Sequence, residues 1–115
     1  MIVQDMIEQL NLSIVTSANL ADQDTGGYAS DLLSCVMASA KAGNVWVTLQ
    51  AHPNVVAVAS LLELSAVIIT EGVSPDPETM GKAHQEKVTL LATTEDTFTI
   101  VGKLAALGIE GTKRG

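Results

Sequence analysis

Ser30-Asp31 and His52-Pro53-Asn54 are the residues of this chain best placed to do chemistry. Each group sits where a short apolar run hands over to a helical pattern. Gly27-Tyr28-Ala29 precedes the first, and Val45 to Leu49 precedes the second. In open α/β sheets, ligands gather where strands end and helices begin. The free N–H groups of a helix N-terminus favour an anion there. The Ser30 hydroxyl and Asp31 carboxylate could hold a ligand hydroxyl or a metal, and the competing role is to cap the helix that follows. His52 could serve as a general acid or base, or touch a phosphate. Its competing role is a ring that bonds a neighbouring backbone group. Thr25-Gly26-Gly27 could form a nest of backbone N–H groups for an anion, or a turn that needs glycine for its conformation. The expected ligand site is therefore Gly26, Gly27, Ser30, Asp31, His52 and Asn54.

The remaining candidates are weaker. Glu71-Gly72 follows an apolar run, a proper position for a site, but it is one carboxylate without a partner in sequence. Asp22, Asp24 and Asp31 are oxygen ligands of the kind a hard cation takes. Their spacing is not that of an EF-hand loop, and a solvated acidic loop is expected instead, with no metal and no cofactor. His84 lies on a polar helical stretch and is expected to be solvated. The chain has no Gly-x-x-x-x-Gly-Lys-Ser/Thr, no Gly-x-Gly-x-x-Gly, no His-Glu-x-x-His, no Cys-x-x-Cys and no Gly-x-Ser-x-Gly. No catalytic residue is assigned. An enzyme would need His52 within hydrogen-bond reach of Asp31 or Glu71.

Elements that would position these residues follow from periodicity. Val3, Met6, Ile7 and Leu10 fall at i, i+3, i+4 and i+7 and predict a first amphipathic helix, ended by Asn11 in a left-handed conformation. Leu12 to Thr16 alternates as a strand, and 17–26 reads as a polar loop. A short strand over 27–30 leads to a helix capped by Asp31 and running to Lys41, with Leu32, Leu33, Val36, Met37 and Ala40 as its apolar face. Val45 to Leu49 is a strand. Pro53 suits the first helical position of a helix over 54–64 that is apolar nearly all round and so buried on more than one side. Ala66 to Thr70 is the clearest buried strand. Asp76-Pro77 opens a mostly exposed helix to Glu86, and Val88 to Ala92 is the next strand. Thr94 caps a last helix with Phe98, Val101, Leu104 and Ala105 as its stripe, ended by Gly108. Strands alternating with helices across short connections imply parallel pairing.

Composition sets the class. A chain of 115 residues suits one domain with a real core. Only three residues are aromatic, Tyr28, Trp46 and Phe98, so Val, Ile, Leu, Ala and Met must build that core, as in a parallel sheet buried on both faces. The net charge of −7 disfavours nucleic acid. Cys35 is alone, which excludes an intrachain disulfide, and its apolar helical setting predicts a buried, inert thiol. No apolar run reaches the length of a membrane span and no secretory signal opens the chain, so a cytoplasmic location is expected.

Thr-Gly-Gly-Tyr-Ala-Ser-Asp-Leu-Leu-Ser at 25–34, Trp-Val-Thr-Leu-Gln-Ala-His-Pro-Asn at 46–54 and the Val55 to Leu61 continuation resemble the DRTGG domain family, over about Ile2 to Ile109. The resemblance is strongest to short, stand-alone members encoded near iron-only hydrogenases. Val67-Ile68-Ile69-Thr70-Glu71-Gly72 and Thr93 to Thr99 are also similar to the regulatory segment of CBS-domain family II pyrophosphatases and to the N-terminal domain of HPr kinase/phosphorylase. In that kinase the P-loop lies in a separate domain, so kinase activity does not carry over. The naming motif is met by Asp24-Thr25-Gly26-Gly27, without the arginine. The resemblance implies a regulatory or assembly role.

The expectation is thus a compact three-layer α/β domain over 1–110, with a mainly parallel sheet of about five strands, and a frayed tail over 111–115. It would be a non-catalytic regulatory domain binding a small anionic ligand, for which a nucleotide is one candidate. The alternative is a protein-interaction module on hydrogenase or electron-transfer machinery. The apolar helices over 32–40 and 54–64 predict a homodimer, since surplus apolar surface needs a second chain.

Overall fold

Val45–Thr48 (β3) and Ala66–Ile69 (β4) are buried at every residue and pair in parallel at the centre of the sheet. A computed structural model describes residues 1–112. Gly27–Ala29 (β2) flanks β3, and Leu90–Ala92 (β5) flanks β4, both in parallel. Ser13–Thr16 (β1) closes the far edge antiparallel to β5, giving the order β1-β5-β4-β3-β2. The expected class holds, and the one antiparallel strand is the first. It enters after Val3–Leu10 (α1), a helix with no strand before it in the sheet, so no crossover constrains its direction.

The pleat sorts β3, β4 and β5 between two cores. Val45, Val47, Ala66, Ile68 and Leu91 meet α1 and Thr97–Ala106 (α5) on one face. Trp46, Val67, Ile69 and Leu90 face the other side, where Leu33–Ser39 (α2), Pro53–Leu62 (α3) and Pro77–Glu86 (α4) pack. α3 lies between α2 and α4 and touches both. Its apolar girth, Val55, Val56, Val58 and Ala59, is therefore consumed inside the chain. Leu32, Met37 and Leu61 stay exposed on this side.

Several boundaries follow the expected chemistry. Asn11 adopts φ 54° and ψ 48° and closes α1. Asp76 caps α4 by accepting from the Thr79 amide at 2.8 Å, with Pro77 as the first helical residue. Other expectations need correction. Asp31 does not cap α2, whose N-cap is Leu32 with no side-chain bond. α5 is capped by Asp96, not Thr94, through the Thr99 amide at 2.7 Å. α5 buries Ile100 and Leu104 while Phe98 is 90% exposed, so the stripe is rotated from the expected one. Cys35 is exposed, because α2 buries only Val36 against the sheet. Gly111 and Thr112, expected in the frayed tail, instead lie with Glu110 along β2: Gly27 donates to the Glu110 carbonyl at 2.8 Å and the Thr112 amide donates to the Gly27 carbonyl at 2.9 Å. The rest of the expected tail, 113–115, lies outside the described residues.

Candidate functional site

β2 to β5 run parallel, so their C-terminal ends and the N-termini of α2, α3, α4 and α5 gather along one edge of the sheet. Ser30, Asp31, His52 and Asn54 are on that edge. Gly26 and Gly27 are not with them. They stand at the start of β2, separated from Ser30 by roughly 10 Å of extended chain. The six expected residues therefore fall into two groups.

The C-terminal group is held by side chains the sequence did not single out. The Trp46 indole N–H, fully buried, donates to the Ser30 carbonyl at 2.8 Å. The Ser30 hydroxyl oxygen accepts from the Leu32 amide at 3.1 Å. Asp31 turns away from its own helix and reaches the loop after β3. Its Oδ1 accepts from the Thr48 hydroxyl at 2.8 Å and the Leu49 amide at 2.9 Å. Gln50 Nε2 donates to the Asp31 carbonyl at 3.1 Å. The loops after β2 and β3 are thus one hydrogen-bonded unit. The residue types gave a signal, a buried Thr and an exposed Gln at a strand end, but the partner lies 17 residues away in sequence.

His52 is the N-cap of α3, and its Nδ1 accepts from the Asn54 amide at 3.1 Å. That is the capping role weighed above, and it leaves Nε2 to face solvent or a ligand. His52 uses its acceptor on its own backbone, and no hydrogen bond joins it to Asp31 or Glu71. The acid–base pair an enzyme would need is not formed here.

Electrostatics separates the four helix starts. Hydrogen bonds from the Thr79 amide and hydroxyl hold the Asp76 carboxyl below its ordinary value, with the nearby His52 adding to the effect. Asp96 is lowered by the Thr99 hydroxyl and amide. Glu71, in a left-handed conformation, accepts from the Thr97 amide at 2.9 Å. The N-termini of α4 and α5 are therefore already served by carboxylates of this chain. Only α3 combines a full-length helix with a cap that carries no fixed negative charge. Thr70 Oγ1 and Thr97 Oγ1, 2.6 Å apart, tie β4 to α5 beneath this edge.

At the opposite end, Gly26 is buried with φ 149°, and a Cβ there would meet the Glu110 carbonyl at 3.2 Å and Asn44 Nδ2 at 3.3 Å. The Thr25 hydroxyl donates to the Ala42 carbonyl at 2.8 Å and accepts from Asn44 Nδ2 at 3.1 Å. Thr25-Gly26-Gly27 thus joins β2 to the loop before β3 and to 110–112. Burial pushes the Asp24 carboxyl up, offset in part by the Gly26 amide, the N-terminal amine and the Val45 amide, and its Oδ1 has no hydrogen-bond partner. Among the described residues, no group of three His, Cys, Asp or Glu side chains is arranged to hold a metal ion. Cavities of about 470 and 250 Å3 adjoin Thr25 and Gly26, and a cleft of about 340 Å3 adjoins Gly27. Ser30, Asp31, His52 and Asn54 line none of these and form an open surface. No helix among the described residues is long and apolar enough to cross a membrane.

Comparison with known proteins bears on both ends of the sheet. A family model for the DRTGG domain matches residues 25–107, a span that includes both groups. No curated protein matches the chain. The fold is similar to part of the structure of the CBS and DRTGG domains of the regulatory region of the Clostridium perfringens pyrophosphatase, solved in complex with an activator, diadenosine tetraphosphate. The TM-score is 0.74 at 15% identity, over 89% of this chain and 45% of that one. The chain thus spans less than half the length of that regulatory region.

Proposed function

The chain belongs to the DRTGG domain family, and from that premise we propose that it is a non-catalytic regulatory domain that binds a small anionic ligand, with a nucleotide as the class to test first. The observation that carries this reading is the edge formed by Ser30, Asp31, His52 and Asn54. There the α3 N-terminus is the full-length helix start not already held by a carboxylate of the chain. The His52 Nε2 and the Asn54 side-chain amide would meet the anion, and Ser30 with Gln50 would meet neutral polar groups of the ligand. The activator complex of the pyrophosphatase regulatory region supports the nucleotide class. The net charge of −7 favours a ligand whose charge is partly neutralised by a cation. Gly26 and Gly27 take a different part in this reading: they hold β2 against 110–112 rather than touch the ligand.

The test is thermal unfolding against diadenosine tetraphosphate, mononucleotides and inorganic phosphate, each with and without Mg2+. A ligand at about 100 times its dissociation constant adds roughly 2.7 kcal/mol, a rise of about 10 °C in the midpoint for a domain of this size. The shift should vanish in His52→Ala with Asn54→Ala. A shift that survives both substitutions places the ligand elsewhere, and no shift with any compound removes the reading.

Self-association and a location in the cytoplasm complete the proposal. A second reading, a docking module on hydrogenase or electron-transfer proteins, rests on the sequence resemblance and on exposed Leu32, Met37 and Leu61. A pull-down from an anaerobic lysate that retrieves such a partner, and loses it with Leu61→Glu, would favour it.

A further inference from the structure

The α1/α5 face of the sheet is one helix short. Three helices cover the opposite face, whereas here α1 and α5 reach only as far as β3. Beyond α5, β2 offers small residues, Gly27 and Ala29, and the result is a cleft of about 340 Å3 with apolar walls that include Ala29, Val47, Val101, Leu104, Ala105 and Ile109. Phe98 stands on the same helix, 90% exposed, with Val101 38% exposed. Phe98, Val101, Gly102 and Ala105 fall at i, i+3, i+4 and i+7, one side of α5. A large aromatic knob and an apolar hole are thus carried by one helix face, two turns apart.

We propose that this face is a homodimer interface in which α5 packs antiparallel against the α5 of a second copy. A two-fold axis passing between Val101 and Gly102 sets Phe98 opposite the partner subunit's Ala105, so each Phe98 enters the other copy's cleft. An isologous contact requires a self-complementary patch, and a knob and a hole on one helix supply it. Gly102 and Ala105 let the two helices approach closely. A small apolar molecule could fill the cleft but would leave Phe98 in water, whereas a second copy covers both. Phenylalanine buries about 150–250 Å2, against about 800 Å2 per partner in a standard interface. Two Phe98 side chains and two clefts therefore form the centre of an interface whose remainder is the stripe and the cleft rim. Charge points the same way. Each copy carries −7, yet the stripe has no acidic residue and the cleft walls have only Glu110, so two copies can meet here without opposing clusters of carboxylates. This surface differs from the α2 and α3 face expected from sequence, where α3 has already found its partners within the chain.

Sedimentation equilibrium of the full chain and of Phe98→Glu tests the proposal. The side chain is exposed, so the variant should fold, and its far-ultraviolet circular dichroism should match that of the parent. We expect a dimer at micromolar concentration, weakened roughly 30-fold or more by the substitution. Gly102→Cys in a Cys35→Ser background should cross-link across the axis under mild oxidation, whereas Lys82→Cys on α4 should not. A parent that is monomeric at 100 micromolar overturns the proposal, as does a dimer that survives Phe98→Glu. A dimer broken at Phe98 but not cross-linked at 102 overturns the axis. His52→Ala should leave sedimentation unchanged, so failure of the ligand site and failure of this interface are read separately.

Discussion

The Thr48 hydroxyl donates to Asp31 Oδ1 at 2.8 Å while accepting from the Gln50 amide at 3.1 Å, which makes one buried side chain the link between the loops after β2 and β3. Thr48→Val keeps the shape and removes both bonds. It should cost about 1–2 kcal/mol, seen as a lower urea midpoint at unchanged slope. Asp31→Asn on top of it should add little, since the pair acts as a unit.

Gly43 adopts φ 82°, and a Cβ there would lie 2.6 Å from Thr25 Cγ2. Gly43→Ala should therefore destabilise by about 1–3 kcal/mol. Adding Thr25→Ser removes the methyl group but leaves the hydroxyl oxygen, 2.8 Å from the same Cβ, so it should recover only a fraction of the loss owed to the clash. Equal stability of Gly43→Ala and the parent would contradict this account.

Acid should loosen α4 and α5 first. Asp76 and Asp96 are held below the ordinary value of 3.8 by their capping bonds to Thr79 and Thr99. A folded value below the unfolded one gives stability that is present above 3.8 and lost as pH falls through the folded values. Asp76→Asn with Asp96→Asn keeps the caps but not the charges. The acid limb of the stability profile should be flatter in that variant.

Asp24 behaves in the opposite sense. Its folded value lies above 3.8, chiefly through burial, so the charged form costs stability as pH rises from 3.8 through the folded value and at every higher pH. Asp24→Asn should raise the melting midpoint at pH 7 and converge with the parent below pH 3.8. A lower midpoint at pH 7 would show that the N-terminal amine outweighs the burial.

Cys35 is exposed, so a thiol reagent should label the native chain stoichiometrically without denaturant. Labelling only after unfolding would place α2 differently from the structure.

The strands were readable because burial on both faces leaves unbroken apolar runs, as in Ala66 to Ile69. Asp76-Pro77 was readable because a cap and its helix are neighbours in sequence. Asp31 was misread because its residue type fits a cap while its partners, Thr48 and Leu49, come from another strand. Phe98 was misread because 98, 101 and 105 make as good a helical stripe as the buried 100 and 104, and an aromatic residue was assigned inward. Gly26 and Ser30 looked like one site because they are four residues apart. An extended strand carries those four residues from one end of the sheet to the other, a separation that a helix would have closed to one turn.

The two edges of the sheet share a timing. β1 is made early but pairs with β5, whose Ala92 lies opposite Ser13. The outer side of β2 is met by 110–112. Neither border can be completed until the ribosome has delivered the far part of the chain, so a nascent domain exposes two unpaired strand edges for most of its synthesis. Loop closure over such separations slows folding, and open edges recruit other chains. The antiparallel strand and the paired 110–112 segment thus leave both borders of the sheet to close last, after the central strands are in place.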